Sequence, residues 1–102
     1  MIKTRPRDYL TEGELLCQLA EESAELAQAA LKERRTLTSE NPTPKTFRQA
    51  HIDLLEEVAD VYVSLGELLS LADWETVAHT RAEKENRWIR RLEERDNNET
   101  AL

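Results

Sequence analysis

Five carboxylates in two short spacings are the residues whose types and positions could do chemistry: Glu21, Glu22 and Glu25, then Glu57 and Asp60. The first group reads Glu-Glu-x-x-Glu within EESAE, and the second reads Glu-x-x-Asp within EVAD. Residues three apart on a helix point the same way, so Glu22/Glu25 and Glu57/Asp60 form two carboxylate pairs. If their helices pack antiparallel, the pairs can face each other across a narrow gap. Four carboxylates sharing one space make a hard oxygen cage, which suits Mg²⁺ or Mn²⁺ and not zinc. A single Glu-x-x-Glu is common on solvated helix surfaces, so the two pairs together carry the reading.

The elements that must position these groups follow from periodicity. Leu54, Val58, Val61, Leu65, Leu68 and Ala72 recur at helical spacing, and Phe47 and His51 extend the row. Asp53, Glu57 and Asp60 fall on one flank of that stripe. This predicts a helix from about Lys45 to Leu71, with Thr43-Pro44 as N-cap and first helical position. Gly66 is its weak point, costing about 1 kcal/mol relative to Ala. An earlier helix begins at Thr11 and Glu14, which have capping-box spacing, and runs to about Arg35. Its broad apolar face is Leu15, Leu16, Leu19, Leu26, Ala27 and Ala30, with Glu21 and Glu25 opposite and Glu22 at the boundary. Small residues (Ala20, Ser23, Ala24, Ala27, Ala29, Ala30) permit close approach of a neighbour. Residues 36–45 form a proline-containing loop between these two helices.

A third helix is predicted from an N-cap at Asp73 to about Glu94. Its apolar face is Val77, Ala78, Ala82, Trp88, Ile89 and Leu92. Arg81 and Glu85 lie near the middle of that face and Lys84 at its edge, and buried charges there would need partners. Residues 1–10 are a polar lead, and 95–102 have no period and are expected to fray. The expectation is one all-α domain over residues 1–102, an antiparallel helical bundle of three main helices. The first helix is apolar over too wide an arc for one neighbour, so dimerisation is expected to complete the core.

Composition narrows the function classes. Charged residues make up 34% and hydrophobic residues 39%, with 2 Gly and 3 Pro, which fits a helical chain. A net charge of -7 argues against a sequence-independent grip on a nucleic acid polymer. It does not exclude nucleotides, because a divalent ion reverses the local sign. Cys17 is the only cysteine and has no partner for an internal disulfide. No apolar run is long enough to span a membrane, so the expected setting is the cytoplasm.

The two motifs, each in an apolar helical frame (QLAEESAELAQAAL and LLEEVADVYVSLGELL), resemble the MazG-like family of all-α nucleoside triphosphate pyrophosphohydrolases. The resemblance covers roughly residues 15–92. It implies that Glu22, Glu25, Glu57 and Asp60 bind Mg²⁺, with Mn²⁺ as a substitute. It also implies hydrolysis of a (deoxy)nucleoside triphosphate to the monophosphate and pyrophosphate by a homodimer or homotetramer. Phosphoribosyl-ATP pyrophosphohydrolase chemistry is a related variant. Two features depart from the family pattern. Thirty-one residues separate Glu25 from Glu57, more than is usual. The stretch RAEKENRWIRRL places Lys84, Asn86 and Arg87 where relatives often carry a Lys and an Asn or Arg, at a spacing that does not match all subfamilies.

For such a reaction Glu21 or Glu22 is the candidate to take a proton from the attacking water. Arg81 and Lys84 are the candidates for the leaving pyrophosphate, although Arg81 could instead pair with Glu85 at i, i+4. Asn86 and Trp88 are further substrate-binding candidates, with core or interface packing the competing use of Trp88. His51 reads as capped or partly buried rather than as a ligand, Tyr62 as core, and Cys17 as a small helix residue. The competing function is a non-catalytic helical dimerisation or adaptor module whose carboxylates are only solvated charge.

Overall fold

Each long helix begins where a side chain satisfies its first free N–H groups. The computed structural model describes residues 2–38 and 44–101, which form three α-helices, one 3₁₀ turn and, among the described residues, no strand. Helix α1 is Glu12–Leu37. The Glu14 N–H donates to Thr11 Oγ1 at 3.1 Å, and the Thr11 N–H donates to Glu14 Oε1 at 3.0 Å, closing the expected capping box.

The other two starts differ from expectation for one reason. Helix α2 is Phe47–Leu68, and its cap is Thr46, because Gln49 three residues on completes a reciprocal pair at 3.2 and 3.0 Å. Thr43 lies outside the described residues, and Pro44 precedes the helix. Helix α3 is Leu71–Ala101. Ser70 is its cap and Asp73 the third helical residue, joined by reciprocal bonds of 3.1 and 2.9 Å. Because Ser70 must leave the helical conformation to cap α3, α2 stops at Leu68 rather than Leu71. At the far end, α3 continues through the stretch expected to fray. No Gly or Pro interrupts it after Gly66, and backbone hydrogen bonding needs no apolar period.

The N-terminal lead is also ordered. Pro6–Asp8 form the 3₁₀ turn, and Asp8 Oδ2 accepts the N–H groups of Thr4 and Arg5, both at 3.0 Å. Arg5 and Arg7 approach Glu67 Oε2 with their Nε atoms at 3.3 and 3.4 Å, fastening the lead to the end of α2.

The chain divides into two compact units, Met1–Leu68 and Leu69–Leu102. In the first, α1 and α2 pack against each other. Among the residues removed from solvent, one row on α1 is Leu15, Leu19, Glu22, Leu26, Ala29 and Glu33, and one row on α2 is Ala50, Leu54, Glu57, Val61, Ser64 and Leu68, with Val58 and Leu65 half-buried beside it. Both rows step by four and three, the spacing that keeps one side of a helix on its neighbour. Ala50 is 1% exposed, and Leu15, Ala29 and Ser64 are buried as well. The predicted residues Leu54, Val58, Val61, Leu65 and Leu68 are all at least half-buried, Ala50, Glu57 and Ser64 are removed from solvent as well, and Phe47, His51 and Ala72 are exposed. Leu16, Ala27 and Ala30, expected on the packing face of α1, are exposed, as is Tyr62 on α2.

In the second unit α3 buries none of its described side chains. Arg81, Lys84 and Glu85 are exposed, so the charges expected inside an apolar face are solvated within this chain. The i, i+4 pair on α3 is His79 with Glu83 at 2.8 Å, not Arg81 with Glu85. No helix among the described residues is long and apolar enough to cross a membrane.

Gly66 offers a direct stability test. A Cβ placed there meets no atom within 4 Å. Gly66→Ala therefore gains helix propensity without a clash. It is expected to stabilise the chain by about 1 kcal/mol, read as a rise of several degrees in melting temperature.

Candidate metal centre

The α1–α2 seam contains two positions where an apolar residue would pack best and a carboxylate stands instead. Glu22 on α1 follows Leu19 and precedes Leu26. Glu57 on α2 follows Leu54 and precedes Val61. One turn further round each helix, on the exposed rim, lie Glu25 and Asp60. One oxygen from each of the four lies within 4.8 Å of the others. The structure thus brings together the four residues singled out as metal ligands, with Glu22 and Glu57 inside the seam rather than at its edge.

Burial raises the pKa of Glu22, because a charged carboxylate loses hydration there. The Gln18 amide, donating to Oε1 at 2.7 Å, opposes the rise, and the Glu25 and Asp60 carboxylates add to it. Burial also raises the pKa of Glu57, reinforced by the charges of Glu25, Asp60 and Glu22. Glu22 Oε2 and Glu57 Oε2 are buried and accept no hydrogen bond. Two inaccessible acceptors without donors, in a set made only of carboxylates, fit a small hard dication such as Mg²⁺ or Mn²⁺. Zinc prefers sites with nitrogen or sulfur, and none contributes to this set.

Glu25 and Glu57 of the quartet line a groove of about 360 Å³ between α1 and α2. Glu25, Gln28 and Lys32 border it from α1, and Asp53, Glu56 and Glu57 from α2. Lys45, just ahead of α2, reaches along the helix to pair with Asp53. Beyond it, His51 Nδ1 lies 2.5 Å from Glu33 Oε1, and its ring stacks on Phe47 at 5.7 Å and 12°. His51 is exposed and serves as a cross-helix tie.

The remaining predicted residues lie elsewhere. Glu21 is exposed and borders a separate hollow with Cys17 and Gln18, because one residue on a helix is a rotation of about 100°. Arg81, Lys84 and Trp88 share one face of α3, and Asn86 lies exposed on the same helix, all in the second unit. Gln18 and Lys32 were missed by the sequence reading, though spacing marks them. Gln18 is four residues before Glu22, and Lys32 is seven after Glu25 on the same face of α1. The Lys45–Asp53 pair has no periodic signature. Comparison with models of known protein families, with curated proteins and with solved structures finds no match for this chain.

Proposed function

We propose that this chain is a Mg²⁺-dependent nucleotide pyrophosphohydrolase. It converts a (deoxy)nucleoside triphosphate to the monophosphate and pyrophosphate, as its resemblance to the MazG-like family implies. The observation that supports this best is the convergence of Glu22, Glu25, Glu57 and Asp60, two of them in a helix seam where carboxylates cost stability. A surface kept acidic only for solubility has no need of charge there.

Glu22, Glu25, Glu57 and Asp60 hold the ion, which when bound supplies charge neutralisation and polarisation at the phosphate. Glu22 is the preferred proton acceptor for the attacking water. Gln18 orients it by donating to its Oε1 at 2.7 Å. Glu21, bordering a different hollow, is the weaker candidate. In this reading α1 and α2 run antiparallel, and a second copy covers Leu16, Leu31, Leu55 and Val63, each more than half exposed.

The test is pyrophosphate release from a panel of ribo- and deoxyribonucleoside triphosphates with Mg²⁺ or with EDTA. Release from at least one triphosphate, abolished by EDTA and restored by Mg²⁺ or Mn²⁺, is the expected result. No release from any of them with either metal sinks the proposal and leaves the carboxylates as surface charge.

A further inference from the structure

The groove beside the carboxylate quartet contains two ammonium groups that the proposed chemistry has not yet used. Lys32 is exposed and, among the described residues, makes no ion pair. It stands two turns beyond Glu25, about 10 Å along the axis, on the face of α1 that borders the groove. Lys32, Gln28 and Glu25 line the groove together from α1. From the other helix Lys45 is drawn along α2 by Asp53. One ammonium carries three donors, so Lys45 can keep Asp53 and still donate to an anion.

Charge explains why such cations are wanted. Glu25, Asp53, Glu56 and Glu57 border the same groove, and an anion entering it alone would be repelled. A triphosphate held at one end by a dication carries further negative charge away from that ion. The groove offers Lys32 and Lys45 at its other end.

We infer that Lys32, assisted by Lys45, holds the phosphate groups distal to the metal, so that the groove between α1 and α2 is the seat of the leaving pyrophosphate. The assignment rests on the function proposed above and extends it to two residues that no motif marks. It also separates two jobs on one face of α1: Glu25 serves the ion, and Lys32 serves the anion.

The two layers are tested separately in the full-length chain. Mn²⁺ binding, followed by electron paramagnetic resonance, reads the carboxylates. Binding of Mg²⁺-pyrophosphate, followed by calorimetry, reads the groove. Lys32→Gln is expected to leave Mn²⁺ affinity unchanged and to weaken pyrophosphate roughly tenfold, the loss of one charge-assisted hydrogen bond. Lys32→Arg keeps the charge and is expected to restore most of the affinity. Because Lys32 is exposed, circular dichroism of both variants should match the parent. Unchanged pyrophosphate affinity in Lys32→Gln, with Mn²⁺ still bound, overturns this assignment and leaves the carboxylate site standing. Failure of the parent chain to bind Mn²⁺ removes the underlying function and the assignment with it.

Discussion

Replacing Glu57 by Gln is expected to lower pyrophosphate release by about a hundredfold or more while raising the melting temperature measured in EDTA. The two effects share one cause. Glu57 sits in the α1–α2 seam with a buried, unpartnered Oε2, and Glu25, Asp60 and Glu22 all press on its charge. Gln keeps the size and removes the charge, so the metal-free seam gains what the carboxylate cost it. The ion loses a ligand that an amide replaces poorly. Activity and stability therefore move in opposite directions, the signature of a strained functional position. Asp60→Asn, on the exposed rim, is the internal control. It should lose comparable activity with a smaller change in melting. Full activity in Glu57→Gln removes the assigned site, and a lower melting temperature contradicts its seam placement.

The second large effect is a reversal of the pH dependence of stability by Mg²⁺. Glu22 and Glu57 are held above their usual value of 4.5 in the folded chain. From 4.5 up to those raised values the folded state binds more protons than the unfolded state, so stability falls as pH rises. Asp8 and Glu14 act oppositely. Backbone N–H groups of Thr4 and Arg5 hold Asp8 below 3.8, and Thr11 holds Glu14 below 4.5. Their contribution is present above those values and is lost as pH falls through the lowered ones. In EDTA these four groups place a stability maximum in mild acid.

A dication binds only the deprotonated cluster. It adds about 2.7 kcal/mol at a hundredfold excess over its dissociation constant, so its benefit grows from acid toward neutral pH. Melting scans from pH 4 to 8, with Mg²⁺ or with EDTA, should diverge as pH rises. Glu57→Gln should bring the two curves together. Superimposable curves for the parent chain at every pH would leave the cluster without a metal.

The sequence showed the number of helices, their approximate extents and the four clustered carboxylates, because these follow from spacing alone. The register of the seam was less visible. A row chosen for hydrophobicity runs through Val58 and Leu65, leaves Glu57 on its flank and passes over Ser64. In the structure Val58 and Leu65 are half-buried as that row requires, and Glu57 and Ser64 are removed from solvent beside them, because the covered side of α2 is wider than one apolar stripe. The expected caps, Thr43 ahead of Pro44 and Asp73, were chosen without a reciprocal partner three residues on. Reciprocal partners at Gln49 and Asp73 decided the positions in favour of Thr46 and Ser70. Glu21 looked equivalent to Glu22 in the motif, yet one step along a helix carried it to another surface.

Ala29 and Ala50, buried along α1 and α2, bear on which ion the proposed site would accept. Small buried side chains at these positions allow close approach of the two helices, and Glu57 stands two turns along α2 from Ala50. Mg²⁺ requires oxygens at shorter distances than Ca²⁺ and tolerates less deviation. A bulkier side chain at position 50 would act as a wedge and widen the span between the acidic groups. If the proposed site holds its ion, discrimination by ionic radius would then depend partly on alanines outside the ligand set.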